Sequence, residues 1–322
     1  MRSDITLDNI ELQNKYRGCL VGLAVGDALG VPLEFQPRGA LPKVTEMIGG
    51  GVFYLQPGEW TDDTSMALCL AQSLLDCDGF DAKDQMDKYW KWVEEGYMSS
   101  NGRMFDIGNT TSDALCEYRM TGNPLAGSPD PQKAGNGSLM RLAPIPLFFR
   151  NGTHMINAKL SSWTTHGVDD CLFACELYSE LIDRCLRGFD KKEVLAFEES
   201  PWESRWGTKV GHIARFGSKI PLSLSENLMD DRVWSFGHET SGYVLHTLKT
   251  SIEVFSAHSN FEDGLIRAVN LAGDADTTGA VYGQLAGAYY GFNAIPKRWL
   301  DKLVKLDMIV EMADKLLERA KT

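Results

Sequence analysis

The amino acids that usually bind zinc are scarce in this sequence. It contains seven cysteines and six histidines among 322 residues, and no two cysteines form the Cys-x-x-Cys pair found in many metal sites. Cys171 and Cys175 lie four residues apart in an apparent helix, a spacing that predicts packed free thiols. The sequence therefore gives no indication of a zinc site built from cysteine and histidine.

Long apolar runs and an excess of positive charge are also missing. No stretch of 18 apolar residues occurs, so we expect no membrane span. The N-terminal residues are polar and lack the apolar core and cleavage site of a signal peptide, which predicts a cytoplasmic protein. The formal net charge of −12 argues against non-specific binding to nucleic acid. It would also disfavour a phosphate compound as substrate, unless metal ions at an acidic centre invert the local charge.

Strand patterns are absent as well. We find no convincing series of alternating apolar and polar residues and no repeat of fixed period, whereas helical patterns follow one another along the chain. Hydrophobic residues make up 43% of the sequence, an ordinary value for a globular protein. We expect an all-α fold in which residues 1–322 form a single domain.

Glycine recurs at every fourth position in two predicted helices. These positions are Gly18, Gly22, Gly26 and Gly30 in, and directly after, a helix over about residues 9–29, and Gly279, Gly283, Gly287 and Gly291 in a helix that begins at Thr277. Each glycine costs roughly 1 kcal/mol relative to alanine, so a row of four along one face requires an explanation. We predict that the two helices pack backbone to backbone and bring the loops at their ends together.

The end of the first glycine-rich helix carries two acidic residues. Asp27 is predicted to face the interior near a metal site or to cap a neighbouring turn. Pro32 ends the helix and places Glu34 in the following loop. A general acid or base is one interpretation of Glu34, but the residue type alone favours an exposed side chain. Residues 38–59 are rich in glycine and proline and predict a flexible loop that folds over a site.

Two short acidic segments lie far apart in the chain. Residues 60–64 read WTDDT, residues 273–278 read GDADTT, and each opens a predicted helix. Helix capping explains one acid in each segment but not the whole cluster. If the fold brings the four carboxylates together, they repel one another unless cations lie between them. Carboxylate and hydroxyl oxygens suit Mg²⁺, Mn²⁺ or Ca²⁺, and a site with two ions about 3.5–4 Å apart is the natural arrangement.

Three further features are candidates for ligand binding. Asp106 either holds a ribose hydroxyl or a metal-bound water, or caps the helix that follows. The turn at residues 135–138, GNGS, offers backbone N–H groups that suit a phosphate. His166 lies beside a loop glycine, although a plain surface or core histidine fits the sequence equally well.

Taken together, these segments resemble the ADP-ribosylglycohydrolase family, in particular its bacterial dinitrogenase reductase-activating, ADP-ribosyl-arginine hydrolase-like members. The matching stretches are residues 22–30 with Glu34 and Phe35, and residues 61–64, 106–110, 135–141 and 273–279. They occur in the family's order over nearly the whole chain. The resemblance implies an all-α fold with a binuclear centre that holds two divalent cations, Mg²⁺ or Mn²⁺.

The resemblance also implies roles for individual residues. The implied metal ligands are Thr61, Asp62, Asp63, Asp274, Asp276 and Thr277, and the implied catalytic residues are Glu34, Asp62 and Asp276. The implied substrate-binding residues are Asp106 near the metals, Gly135, Asn136, Gly137 and Ser138 at the diphosphate, His166 in the ADP-ribose cleft, and Tyr243 at its entrance.

The activity implied is hydrolysis of the bond between C1 of the distal ribose of ADP-ribose and an acceptor side chain. We expect a monomer that acts on an ADP-ribosylated protein and releases ADP-ribose. Arginine is the favoured acceptor, and serine, another side chain, a nucleic-acid end or a small metabolite remain alternatives. Gly167-Val168 and residues 202–206 depart from the bacterial relatives and are expected to shape the acceptor pocket.

Two other functions compete with this prediction. One is a non-catalytic structural member of the same fold, as some eye-lens crystallins resemble the family. The other is a metal-dependent hydrolase that cleaves at phosphorus and releases AMP or phosphate. Retention of all six candidate ligands and Glu34 argues against the structural protein, since such a protein has no need of clustered acids.

Overall fold

The computed structural model describes residues 7–150, 152–197, 209–211, 213 and 240–320. In these ranges the regular structure is helical, and β-pairing is limited to isolated bridges. The predicted all-α fold is confirmed. None of the helices in the described part of the chain combines the length and apolar character needed to cross a bilayer.

The helices follow the sequence pattern closely. They are α1 (Asn9–Gly30), α2 (Asp62–Cys77), α3 (Ala82–Glu95), α4 (Asn109–Thr121), α5 (Gly137–Met140), α6 (Pro144–Phe148), α7 (His154–Trp163), α8 (Asp169–Leu186), α9 (Lys191–Val194), α10 (Val244–Ala257), α11 (Phe261–Val269), α12 (Ala275–Tyr290), α13 (Lys297–Leu300) and α14 (Leu306–Arg319). Short 3₁₀ turns cover Val31–Leu33, Pro131–Lys133 and Phe292–Ala294. The start of α12 corrects the prediction of Thr277, and Asp276 therefore lies within the helix and not in the turn before it.

The two glycine-rich helices α1 and α12 pack against each other at the centre of the fold. The facing pairs are Gly18 with Gly287, Gly22 with Gly283, and Gly26 with Gly279. A Cβ atom on any of these residues would overlap the carbonyl group of its partner. The predicted backbone-to-backbone contact is confirmed. Because the numbers rise along one helix as they fall along the other, the helices are antiparallel, and the end of α1 meets the start of α12.

This antiparallel pairing fixes the loop that follows α1. The amide of Phe35 donates to the carbonyl of Gly273 at 2.6 Å, and the amide of Gly273 donates to the carbonyl of Gln36 at 3.0 Å. Glu34, which directly precedes Phe35 in the chain, is 2% exposed. The expectation of an exposed loop glutamate, drawn from residue type, was wrong because this long-range pairing buries the segment against α12.

The glycine-rich segment 38–59 packs against helices and does not cover the cleft. The Val44 amide donates to the side chain of Asn270 at 2.8 Å, and the Trp299 indole donates to the carbonyl of Thr45 at 3.0 Å. Met47 is buried in the core. The described residues that line the central cleft include Pro37 and Asp62 but none of residues 38–59 between them. The prediction that residues 38–59 form a lid over a site was wrong.

The cysteines behave as the sequence predicts. Cys171 and Cys175 lie on α8, both are free thiols, and both are fully buried. Residues 202–206, which we expected to shape the acceptor pocket, lie outside the described residues.

Candidate metal and ligand cleft

A cleft of about 740 Å³ opens where α1, α2 and α12 meet. Its lining comes from the loop after α1, the start of α2, the segment before α4, the turn before α5, His166, the segment before α10 and the start of α12. This volume lies within the range of sites for small molecules and cofactors. Among the described lining residues there is no lysine or arginine, although Glu34, Asp62, Asp106, Asp274 and Asp276 are all present.

The carboxylates form two groups that share one member. Asp27, Asp63 and Asp276 place one oxygen each within 4.8 Å of one another, and so do Glu34, Asp106 and Asp276. Asp276 therefore stands between the two groups. The fold thus joins both acidic segments of the sequence, since Asp63 belongs to the first and Asp276 to the second.

Three carboxylate oxygens in these groups are buried without a hydrogen-bond partner in the described part of the chain. They are Glu34 Oε2, Asp63 Oδ1 and Asp276 Oδ1. A buried charged oxygen without a partner is strongly destabilising. Carboxylate oxygens are preferred ligands of divalent cations. These three atoms therefore fit a site whose missing partners are metal ions.

Burial and mutual repulsion raise the pKa values of the cleft carboxyls. Burial, with the charges of Asp106 and Asp274, raises the pKa of Glu34 to about 9. Burial and the nearby carboxylates likewise raise the pKa of Asp106 to about 7. For Asp63 and Asp276, burial and neighbouring carboxylates hold the pKa well above the usual range. Without cations, the cleft therefore favours bound protons.

Asp27 organises the start of α2. Its carboxylate accepts hydrogen bonds from the amide and hydroxyl of Thr61, both at 3.0 Å, and from the amide and hydroxyl of Thr64 at 3.1 and 2.6 Å. Burial raises the pKa of Asp27 to about 6, and these hydrogen bonds limit the rise. Asp27 is buried and caps α2, as expected for an interior residue that caps a neighbouring turn, and it also adjoins Asp63. With its oxygens occupied, it positions the acidic segment.

The predicted ligands differ in their surroundings. The hydroxyl oxygens of Thr61 and Thr277 lie 3.2 and 3.3 Å from Asp63 Oδ2, so the two threonines flank this carboxylate. Asp62 follows Thr61 and lines the cleft. Asp274 Oδ2 accepts from the Asn136 side chain at 2.6 Å. The structure therefore brings all six predicted ligands to the cleft or directly beneath it.

The turn before α5 is only partly available to a ligand. The amide of Gly135 donates to the carbonyl of Lys133, and the amide of Asn136 donates to the carbonyl of Gly242, each at 2.9 Å. The amides of Gly137 and Ser138 stand in the first turn of α5, where no carbonyl of the helix itself can accept them. Two of the four predicted amide donors are thus occupied, because the turn is tied to residues on both sides.

The side chains of Ser138 and Tyr243 do not line the cleft. The Ser138 hydroxyl accepts from Ser162 at 2.8 Å inside the fold. The backbone of Tyr243 pairs with that of Gly135, but the Tyr243 hydroxyl donates to Asp170 at 2.7 Å. Tyr243 therefore lies beside the cleft next to residues 240–242, which do line it.

His166 is buried and faces the turn before α5. Burial and the positive charge of Arg141 lower the pKa of His166 to about 3, so the imidazole is neutral near pH 7. The alternative of a surface histidine is excluded by its 1% exposure. Its ring lines the cleft.

Asp106 does not cap α4, which is the alternative that the sequence left open for it. The N-cap of α4 is Gly108, and no side chain caps this helix. Asp106 instead has a backbone φ of 52°, a strained value for a residue with a side chain. Its carboxylate turns toward Glu34 and Asp276.

A third acidic group, outside the cleft, is already neutralised. His154, Glu180 and Asp183 approach one another between α7 and α8. Arg184 bonds Glu180 at 2.8 Å, and Arg150 lies 3.7 Å from Asp183. Protein cations thus balance these acids, whereas the described lining of the cleft offers none. The fold and the cleft define an all-α protein with an oxygen-rich site suited to divalent cations.

Comparison with known proteins places this site in a family. The ADP-ribosylglycohydrolase family model matches residues 8–322. An ADP-ribosylarginine hydrolase, Tri1 of Serratia proteamaculans (strain 568), is 38% identical over 312 residues, with 96% of this chain and 81% of the relative covered. The ADP-ribosyl-(dinitrogen reductase) glycohydrolase of Rhodospirillum rubrum is 32% identical over 312 residues, covering 93% and 92%.

A solved structure gives the same result. The chain superposes on an "ADP-ribosylglycohydrolase-related protein complex" with a TM-score of 0.78 and 41% identity, covering 97% of this chain and 100% of the other. The chain therefore belongs to the ADP-ribosylglycohydrolase family, a family of glycosidic-bond hydrolases. The resemblance read from the sequence motifs is confirmed.

Proposed function

We propose that this protein hydrolyses the N-glycosidic bond between ADP-ribose and an arginine side chain of a modified protein, using two divalent cations, Mg²⁺ or Mn²⁺. The observation that carries the proposal is the shared position of Asp276. It stands between two carboxylate groups that contain three unpartnered buried oxygens. A structural protein of the same fold would retain these destabilising acids without benefit.

The cations would be held by the six residues of the two acidic segments, namely Thr61, Asp62, Asp63, Asp274, Asp276 and Thr277. Their donor atoms are hard oxygens, which suit Mg²⁺ and Mn²⁺. When bound, the cations supply Lewis-acid activation of a water and binding of the ribose hydroxyls.

The chain's own groups hold the substrate around this centre. Glu34 and Asp106 approach Asp276 in one carboxylate group, and Asp27 and Asp63 approach it in the other. A carboxylate there stabilises positive charge at the anomeric carbon and transfers a proton to or from the reacting groups. Asp62 and Asp276 would hold the cations and, as catalytic residues, orient the attacking water toward that carbon. The amides of Gly137 and Ser138, with His166, receive the diphosphate.

Arginine as acceptor is supported by charge and by similarity. The described lining of the cleft carries five carboxyl groups and no lysine or arginine, so a guanidinium entering it meets carboxyl oxygens that accept its hydrogen bonds. The relative from Serratia proteamaculans is named as an ADP-ribosylarginine hydrolase. A monomer is proposed as the active form.

The decisive experiment compares acceptors and metals. The protein is incubated with arginine-linked and serine-linked ADP-ribosylated proteins, with Mg²⁺, with Mn²⁺ and with a chelator, and the products are identified by mass. We expect intact ADP-ribose from the arginine-linked substrate and none with the chelator. Release of AMP or phosphate would show attack at phosphorus, and release only from serine would reassign the acceptor.

Failure to release ADP-ribose from any acceptor with metal present would refute the enzyme proposal. Glu318→Gln is a suitable control for replacement of the acidic residues in the cleft, because Glu318 is an exposed acid on the surface of α14. Its activity should equal that of the unmodified protein.

A further inference from the structure

We propose that Arg141 and Thr165 are positioning residues that hold His166 as the neutral tautomer protonated on Nε2, so that this N–H points to the turn before α5. The inference deepens the proposed function, because it is the diphosphate of ADP-ribose that would accept this hydrogen bond. Nothing in the sequence motifs distinguishes Thr165, and its role follows from a chain of contacts beneath the cleft.

Arg141 begins this chain of contacts. Its side chain is fully buried and lies over the ring of Tyr89, with 4.8 Å between the guanidinium carbon and the ring centroid. One terminal nitrogen donates to the Gly137 carbonyl at 3.1 Å, and the other donates to the Thr165 hydroxyl oxygen at 2.8 Å. A guanidinium has only donors. The Thr165 oxygen must therefore accept this hydrogen bond.

Thr165 links Arg141 to His166. Its Oγ1 lies 2.8 Å from Nδ1 of His166. A hydroxyl has one hydrogen, and the oxygen already accepts from Arg141. If the hydroxyl hydrogen donates to Nδ1, both groups are satisfied. Nδ1 is then an acceptor, and the proton of the neutral imidazole is on Nε2.

The Nε2 atom is directed at two glycines of the turn. A Cβ atom on Gly135 or on Gly137 would lie 3.2 Å from Nε2. Both glycines thus keep space open beside the donor. In the described part of the chain the amide of Gly137, in the first turn of α5, has no acceptor, so the imidazole N–H and this amide are available to the same ligand.

The charge of Arg141 supports the same protonation state. An imidazolium at this position would face a buried guanidinium and would itself be buried, and both effects oppose a second proton. The pKa of His166 is accordingly lowered. His166 is thus a fixed donor without charge, which is available throughout the neutral pH range.

The test reads the tautomer directly. Ring nitrogens of ¹⁵N-labelled histidine have different NMR shifts when protonated and unprotonated, and replacement of His166 by Gln assigns its signals. In the ligand-free protein near neutral pH we expect a protonated Nε2 and an unprotonated Nδ1. Thr165→Val, which keeps the shape and removes the hydroxyl, should mix the tautomers, and Thr165→Ser should restore the original signals.

Thr164→Val is the matched control. Thr164 is an equally buried threonine that accepts from the same guanidinium at 3.4 Å, and no hydrogen bond joins it to His166. The tautomer signals of His166 should be unchanged in Thr164→Val. ADP-ribose binding, measured by calorimetry, should weaken about tenfold in Thr165→Val, as expected for loss of a hydrogen bond to a charged group, and should stay within about twofold of the unmodified value in Thr165→Ser and Thr164→Val.

Each outcome has a separate meaning. A proton on Nδ1 in the unmodified protein, or unchanged tautomer signals in Thr165→Val, would overturn the relay. If the tautomers behave as expected but ADP-ribose does not bind to the unmodified protein, the positioning of His166 stands and its diphosphate ligand, with the proposed function, is wrong.

Discussion

Gly26 and Gly279 lie so close that each occupies the space where the other would carry a side chain. Gly26 is one residue before Asp27, and Gly279 is three residues after Asp276. The spacing between α1 and α12 is therefore also the spacing between the capping carboxylate of α2 and the shared carboxylate of the cleft. The packing of the helices and the geometry of the site cannot be varied independently.

Replacing Gly26 by alanine should destabilise the protein strongly. The new Cβ would overlap the carbonyl of Gly279, and backbone in a packed helix pair cannot move away as a flexible side chain does. We expect a loss of at least about 3 kcal/mol in the free energy of unfolding, measured with denaturant.

Gly79→Ala provides the control, because the nearest atom to its added Cβ is 4.0 Å away. It should change stability by less than about 1 kcal/mol. Equal stability of the two variants would contradict the close packing of α1 and α12.

Replacing Asp27 by asparagine should disturb α2 and the cation site together. The amide keeps one acceptor oxygen and places an NH₂ group among four donors, the amides and hydroxyls of Thr61 and Thr64. We expect a loss of about 2–3 kcal/mol in stability and weaker Mn²⁺ binding in calorimetry. Asp81→Asn, at the N-cap of α3, should be nearly neutral because asparagine caps helices as well as aspartate does.

Replacing Asp276 by asparagine should abolish cation binding, because this residue belongs to both carboxylate groups. Asp62→Asn should remove metal-dependent activity as well. Calorimetric titration with Mn²⁺ measures binding, and ADP-ribose release measures activity. Full activity in either variant would remove the replaced residue from the proposed ligand set.

Replacing Glu34 by glutamine should slow catalysis while the protein keeps its fold. The side chain is isosteric, but it can no longer exchange a proton or stabilise positive charge. We expect kcat to fall about 10²–10⁴-fold with a much smaller change in KM. Mn²⁺ binding should persist. A variant that loses Mn²⁺ altogether would indicate that Glu34 is a ligand and not an acid or base.

The cation-free protein should lose stability as pH rises. The folded pKa values of Glu34, about 9, and Asp106, about 7, exceed their ordinary values of 4.5 and 3.8. The stability linked to such groups is fully present below the unfolded pKa and is lost as pH rises through the folded pKa. The window therefore extends from about pH 4 to about pH 9.

Thermal unfolding in the presence of a chelator, at about pH 5 and about pH 8, tests this dependence. We expect a lower Tm at the higher pH, and Mg²⁺ or Mn²⁺ should raise the Tm most where the carboxyls are ionised. Asp106→Asn should reduce the difference between the two pH values. A Tm that rises with pH in the chelated protein would contradict the raised pKa values.

The sequence predicted those features that depend on local pattern. Glycine at every fourth position predicted the contact of α1 with α12, and helix-start acids at Asp62 and Asp276 predicted the joined segments. The start of α12 was placed too late because an acidic turn and a helical first turn have the same composition.

The remaining features depend on contacts between distant residues. Glu34 is buried because its loop pairs with Gly273, and the residue type carries no information about that pairing. Arg141 and Thr165 acquire their relation to His166 only when α5 meets the turn after α7. The GNGS turn also has fewer free amides than we predicted, because the carbonyl of the distant Gly242 accepts the amide of Asn136.

The α1–α12 pair also has a consequence for synthesis of the chain. The glycine face of α1 leaves the ribosome long before its complement on α12 has been made, since 245 of the 322 residues lie between Gly30 and Asp276. Contacts between distant residues form late in folding. A chain that stops before α12 therefore has two of the three carboxylates in each group and lacks Asp276, the residue that the groups share, so we expect incomplete products to be inactive.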